Sequence, residues 1–281
     1  MKNNLDNFFK ESDIEILIST MNQDSLDFLI PMFPYSHFSN FSILIINQTQ
    51  KEKILTSDYS NIRVINSFEK GLAKSRNLAL ENAIGKILVI ADDDIVYKDG
   101  FAVKIIDTYN KFPEAAVINF EAENTGGNLI KKYPLDFKPN LSIFDILNAS
   151  SIEMTLSKKS IDETKIRFDE NFGLGAVFEI GEEAIFLSDL KANQKQLVFE
   201  PQIIVMHESK TSSEKKSIDD KYYIQGALFS RIFKKKYLFW LYLKLFFDLK
   251  QNKIKLKDIK TVLLGAKKGH IKFEQIQNEN K

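Results

Sequence analysis

Cysteine is absent from all 281 residues, which excludes disulfides, thiolate metal sites and cysteine nucleophiles and leaves the redox compartment open. Glycine comes late. None precedes Gly71, so the glycine-rich phosphate loop that a nucleotidyltransferase would carry after its first strand is missing. Proline is sparse, at 6 residues, and no segment has the composition of a long flexible linker. No apolar run approaches the roughly 18 residues of a membrane-spanning helix. The start, Met1-Lys2-Asn3-Asn4-Leu5-Asp6, has no apolar stretch of the secretory kind. The expected location is the cytoplasm, with peripheral attachment to the inner face of the cell membrane left open by the C-terminal end.

Apolar residues are plentiful. They make up 44% of the chain, with 23 Phe among them, enough to fill the core of one large α/β domain or two small ones. The net charge of +1 conceals an uneven distribution. Residues 211–281 hold 17 Lys and Arg against 7 Asp and Glu, whereas residues 1–210 hold 22 against 31. A basic tail on an acidic body points to an anionic partner at the C-terminus, or to lysines that simply solvate helix faces.

Short apolar runs alternate with helical patterns through the first half, the signature of βαβ units and a mainly parallel sheet. Strands are predicted at Ile14–Ile18, Phe41–Ile46 and Ile62–Ile65. A helix follows over Leu72–Ala83, with Gly85 as its stop signal. Lys86–Ala91 then forms a strand that runs into Asp92-Asp93-Asp94. That places the triplet at the carboxyl end of a strand, the edge of an open α/β sheet where ligands bind. Further strands are expected at Ala116–Phe120, Ile152–Leu156, Leu197–Phe199 and Ile203–Met206. A helix is expected near Glu182–Lys191, Gly126-Gly127 reads as a turn, and the chain is helical from Ile218 onward.

Three adjacent carboxylates repel one another unless something relieves them. In an extended segment Asp92 and Asp94 face one side and Asp93 the other, and a hard divalent cation, Mn²⁺ or Mg²⁺, held between the pair and substrate phosphates would do so. A solvated, helix-capping turn is the plainer alternative. A phosphoacceptor receiver domain would carry an acidic pair after its first strand, where this chain has Ser19-Thr20-Met21-Asn22.

The order of these blocks resembles glycosyltransferase family 2. Gly71-Leu72-Ala73-Lys74-Ser75-Arg76-Asn77, Gly85, the apolar strand and Asp92-Asp93-Asp94 are similar to the family's nucleotide-binding half. Phe168-Asp169-Glu170-Asn171-Phe172-Gly173, Gly181-Glu182-Glu183, Pro201 and His207 are similar to its acceptor half. The resemblance covers roughly residues 12–210. It implies a GT-A fold, a Rossmann-like mainly parallel sheet fused to an acceptor-binding region, followed here by a C-terminal helical extension. The implied organisation is a nucleotide-sugar-binding half over 1–114, an acceptor-binding and catalytic-base half over 115–210 and a basic aromatic helical tail over 211–281.

By the same resemblance the activity is that of an inverting, metal-dependent hexosyltransferase. It would move a sugar from a nucleotide donor, UDP-linked in most of the family, to a saccharide or lipid-linked saccharide acceptor in surface polysaccharide synthesis. Asp92 and Asp94 would hold the metal, and His207 would be a further ligand or a diphosphate contact. Ser19, Thr20, Asn22, Asn47, Arg76, Asp92 and Asp93 are the implied nucleotide contacts. Glu182 and Glu183, opening a helix, are the candidate bases, Glu183 preferred because it aligns with the second member of the family's acidic pair. One departure is evident: strand two ends in Asn47-Gln48-Thr49, where many members have acidic residues. A non-catalytic GT-A scaffold, binding carbohydrate or tethered to a membrane, is the competing expectation.

In the tail, Lys234-Lys235-Lys236 precedes Tyr237–Phe247, whose helical projection gathers Lys236, Trp240, Lys244 and Asp248 into one stripe and leaves the rest apolar. Through residues 231–272 this region is expected to meet an anionic membrane surface, the catalytic domain or a second subunit. Nucleic acid is not expected, because the lysines flank a dense apolar run rather than spaced stacking platforms.

Overall fold

The computed structural model describes residues 8–208 and 216–279. The expected boundary at residues 210 and 211 therefore lies outside the described residues.

The alternating first half folds into strands β1 (Ile14–Met21), β2 (Ser42–Gln48), β3 (Ile62–Ser67) and β4 (Ile87–Asp92), with helices α1 (Leu29–Met32) and α2 (Leu72–Asn82) between them. Next come β5 (Ile95–Tyr97), α3 (Phe101–Lys111), β6 (Ala115–Glu123), α4 (Ile143–Ile146), β7 (Met154–Ser157), α5 (Lys158–Thr164), α6 (Glu182–Ala192) and β8 (Gln196–His207). Three helices close the chain: α7 (Ile218–Phe233), α8 (Tyr237–Lys250) and α9 (Ile259–Glu279).

The strands form a single sheet in the order β3-β2-β1-β4-β7-β6-β8-β5. The first four are parallel, as the βαβ pattern requires. Beyond β4 the sheet is mixed, because β7 runs antiparallel to both β4 and β6, and β5 antiparallel to β8. The two strands expected at Leu197–Phe199 and Ile203–Met206 are one. Pairing passes from Asn119 with Phe199 to Glu121 with Ile203, so Glu200, Pro201 and Gln202 bulge out opposite Phe120. A proline lacks the N–H for a regular ladder and is tolerated at such a bulge.

Apolar residues cover both faces of the sheet. Along β1, Leu17 joins Leu44, Leu88, α2, α6, α7 and α9 on one side. Ile16 and Ile18 join Ile43, Ile45, Val89 and α3 on the other. Strands buried on both faces read as continuous apolar runs, which is why they were visible in the sequence.

Three glycines act through close approach. Gly85, expected to stop α2, has no left-handed backbone. A Cβ there would lie 2.5 Å from that of Glu15, whose carboxylate accepts from the N–H groups of Ile84 and Gly85 and pairs with Arg63. In the helical region a Cβ at Gly226 would sit 1.9 Å from the carbonyl oxygen of Ala266, and one at Gly269 1.8 Å from that of Tyr223. Helices α7 and α9 are thus in backbone contact.

The C-terminal helices are part of the main core. Tyr223 packs on Phe178 and Phe273 on Phe172, and Arg231 bridges Asp169 and Asp189 at 2.9 and 2.7 Å.

Candidate active site

Parallel strands leave their carboxyl ends on one edge, and here that edge carries Ser19 and Thr20 from β1, Asn47 and Gln48 from β2 and Asp92 from β4. Gln48 donates to the carbonyl of Gly71 at 2.9 Å, so β2 fixes the start of α2. The Leu72 N–H donates to the carbonyl of Leu174 at 2.9 Å, and Asn77 both accepts from the Phe168 N–H and donates to its carbonyl. Gly71–Asn77 and Phe168–Gly173, separate blocks in the sequence, are one interlocked unit.

Arg76 is its centre. It extends from α2 with its side chain only 2% exposed. Nη1 donates to Glu182 at 3.0 Å and to Glu183 at 3.3 Å, and Nη2 to Asp92 at 3.2 Å and to Ser151 at 2.7 Å. The guanidinium lies 5.6 Å from the centre of the Phe168 ring. Where a nucleotide contact was expected, four side chains of the protein itself meet the two Nη atoms. The planar fork is spent on carboxylates from both halves of the domain, a geometry that suits arginine and that lysine cannot reproduce.

One cation among three carboxylates leaves surplus negative charge, and burial decides where it is relieved. Burial, reinforced by the neighbouring Glu183, pushes the Glu182 carboxyl up to about 8, and its Oε2 has no hydrogen-bond partner. Burying an orphan oxygen costs less on a neutral carboxyl than on an anion. Burial and the neighbouring carboxylate therefore favour the protonated form of Glu182. The Glu183 side chain is 16% exposed against 5% for Glu182, and of the two it is the one open to a substrate. Both stand in the first turn of α6, where the helix dipole favours an anion.

The aspartate triplet is not extended. Asp92 ends β4, and Asp93 and Asp94 form the turn into β5. Each therefore meets a different partner. Asp92 binds Arg76. Asp93 accepts from the Thr20 hydroxyl and, at 3.2 Å, from the Gln23 amide. Asp94 lies 3.3 Å from His207 Nε2, where β8 pairs with β5, and the hydrogen bond that the imidazole donates to Asp94 holds it above its ordinary pKa. The expected pairing of Asp92 with Asp94 on one face gives way to Asp94 with His207. Among the described residues, no three His, Asp or Glu side chains form a group that could hold a metal ion.

Asn47 is fully buried. Its amide donates to the Gln23 carbonyl and to Asn66 and accepts from the Gln23 N–H. The expected base contact is thus a clamp on the loop after β1. Ser19 accepts from Ser75 at 2.9 Å. Asn22 is exposed, with φ of 57°, and it caps no helix. Sequence reasoning missed Gln23 and Ser151. Neither lies in a recognisable motif, and both are found only through their contacts to Asp93 and Arg76.

Residues 38–164 match the family model described as Glycosyl transferase family 2. That segment includes Arg76 and the aspartate triplet and ends before Glu182. No curated protein matches the chain. Among solved structures, S. aureus TarS 1-349 is similar with a TM-score of 0.58 at 14% identity, over 90% of this chain and 78% of that one. In complex with UDP-GlcNAc the same protein gives 0.60 at 14% identity, over 90% and 79%, and in complex with UDP 0.56 at 14%, over 87% and 76%. At such identity the likeness is one of fold, and the fold is GT-A. Over residues 38–164, a little under half of the chain, the sequence is thus similar to glycosyltransferase family 2.

Proposed function

We propose that the protein transfers a hexosyl unit from a UDP-sugar to a hydroxyl of a saccharide acceptor, carried on a lipid and destined for a surface polysaccharide, with inversion at the anomeric carbon. The observation that carries this reading is Arg76, which draws Glu182 and Glu183 of the acceptor half onto Asp92 of the nucleotide half. The complexes of TarS with UDP-GlcNAc and UDP support uridine in the donor.

Glu183 takes the proton of the acceptor hydroxyl as its oxygen bonds the anomeric carbon, and the bond from that carbon to the diphosphate oxygen breaks with its electron pair on the diphosphate. A carboxylate is ionised at neutral pH and suited to this. Glu182, held protonated, keeps its neighbour's charge from being doubled, and Arg76 fixes both. The Thr20 hydroxyl and the Gln23 amide hold Asp93 and orient the loop over which the nucleotide would lie.

Asp94 and His207 would be the two side chains to hold a divalent ion of the Mn²⁺ type. Such an ion is bound by few protein groups and completes its shell with phosphate oxygens and water. Bound there, it would supply charge neutralisation to the leaving diphosphate. Calorimetry with UDP tests the reading: heat of binding is expected with Mn²⁺ and a much weaker signal without it. No binding of UDP in either condition would overturn it and favour the scaffold.

A further inference from the structure

The buried face of helix α8 consists of Leu241, Leu245 and Asp248. Lys244 pairs with Asp248, which also accepts from the Tyr222 hydroxyl at 2.9 Å, and Trp240 stacks on Phe233 with ring centres 4.3 Å apart. The opposite face is left outside. Leu238, Phe239, Tyr242 and Phe246 are 48%, 64%, 55% and 59% exposed. They recur at helical spacing, so they make one continuous apolar strip, unlike scattered single exposed residues.

Charge surrounds that strip. Residues 234–272 hold 12 Lys against 2 Asp. Asp248 is buried against Lys244, and Asp258 accepts from the backbone N–H of Lys255. Among the described residues, Lys244 is the one lysine of this segment in an ion pair. Lys235 and Lys236 at one end of α8 and Lys250 and Lys253 at the other are exposed. No helix among the described residues is long and apolar enough to cross a membrane.

We propose that this face of α8 seats the protein on an anionic lipid surface, with the aromatic strip in the headgroup layer and the lysines at its ends on lipid phosphates. An apolar face bordered by lysine suits a helix lying in the interface plane. A second copy of the chain fits poorly, since a two-fold contact would set this lysine-rich region against itself. Nucleic acid fits poorly as well, because its phosphates would meet the lysines and leave the strip in water. The proposal is independent of the reaction assigned to the active site.

Co-sedimentation of the full chain with vesicles tests it. At low salt, vesicles of phosphatidylcholine and phosphatidylglycerol are expected to bind at least about tenfold more protein than phosphatidylcholine alone, and added salt should lower the difference. The variant Phe239→Ser/Phe246→Ser should lose most of the binding while keeping the melting temperature and UDP affinity of the parent. Lys235→Glu/Lys250→Glu should lose the preference for the anionic lipid. No binding to the anionic vesicles, or binding unchanged in both variants, would overturn the proposal. So would a dimer in solution that Phe239→Ser/Phe246→Ser dissociates.

Discussion

Arg76 and Glu182 meet at 3.0 Å, both buried, although 106 residues separate them in the chain. This bond and its neighbours on the same guanidinium join helix α2 to the start of helix α6. Replacing Arg76 with Lys keeps the charge but removes the fork. We expect turnover to fall at least about a hundredfold, and thermal unfolding to show a loss of up to the 3–5 kcal/mol typical of breaking a buried pair. A variant with wild-type turnover would show that the hub is dispensable.

The two glutamates separate by substitution. Glu183→Gln should lower kcat by about 10² to 10⁴, the usual range for a lost general base, and leave the KM for the donor within a factor of a few. Glu182→Gln copies the protonated state and should retain most of the activity at neutral pH. Steady-state kinetics on both variants decides between them, and a larger loss at Glu182 would reverse the assignment.

A pH series on stability checks the same point by another route. Glu182 has a folded pKa of about 8, above the ordinary carboxylate value that applies to the unfolded chain. Between those two values the folded state binds the extra proton, so stability is highest at the acid end and falls as pH rises through about 8. In Glu182→Gln that part of the slope should vanish. Melting curves from pH 5 to pH 9, about the two pKa values, should show the wild type losing stability faster than the variant. Parallel curves would place the charge of Glu182 elsewhere.

The fold was legible where burial repeats a pattern. Strands covered on both faces show as apolar runs, and the order from Arg76 through the aspartates to Glu182 and Glu183 named residues that meet at one guanidinium. The partners were not legible. Asn47 and Arg76 are residue types suited to nucleotide contact, yet the three-dimensional neighbours Gln23, Asn66 and Glu182 take up their hydrogen bonds. Periodicity also cannot choose the inward face of a helix that is apolar around most of its circumference. In α8 Asp248 is buried beside Leu241 and Leu245, because Tyr222 donates to it there. The aspartate triplet follows a strand but bends into a turn, so alternation did not govern it.

The tail, read from sequence as a separate extension, should prove inseparable from the rest of the fold. A chain ending at residue 215 would uncover Phe172 and Phe178, which pack on α9 and α7, and should be insoluble or lack a cooperative melt. A milder probe is Gly226→Ala, whose methyl group would meet the Ala266 carbonyl. It should cost about 1–3 kcal/mol, as overpacking does. A soluble 1–215 fragment melting at the wild-type temperature would contradict this packing.

The claim that most depends on the site as described is that Glu183 is the base of a nucleotide-sugar transferase. It is tested most directly by following nucleoside diphosphate release from a panel of UDP-sugars with Mn²⁺, with wild type and Glu183→Gln side by side. The account predicts release by the wild type from at least one donor and, with the variant, release slower by about 10² or more. No release from any UDP-sugar that the protein demonstrably binds, or equal rates for the two proteins, would contradict it.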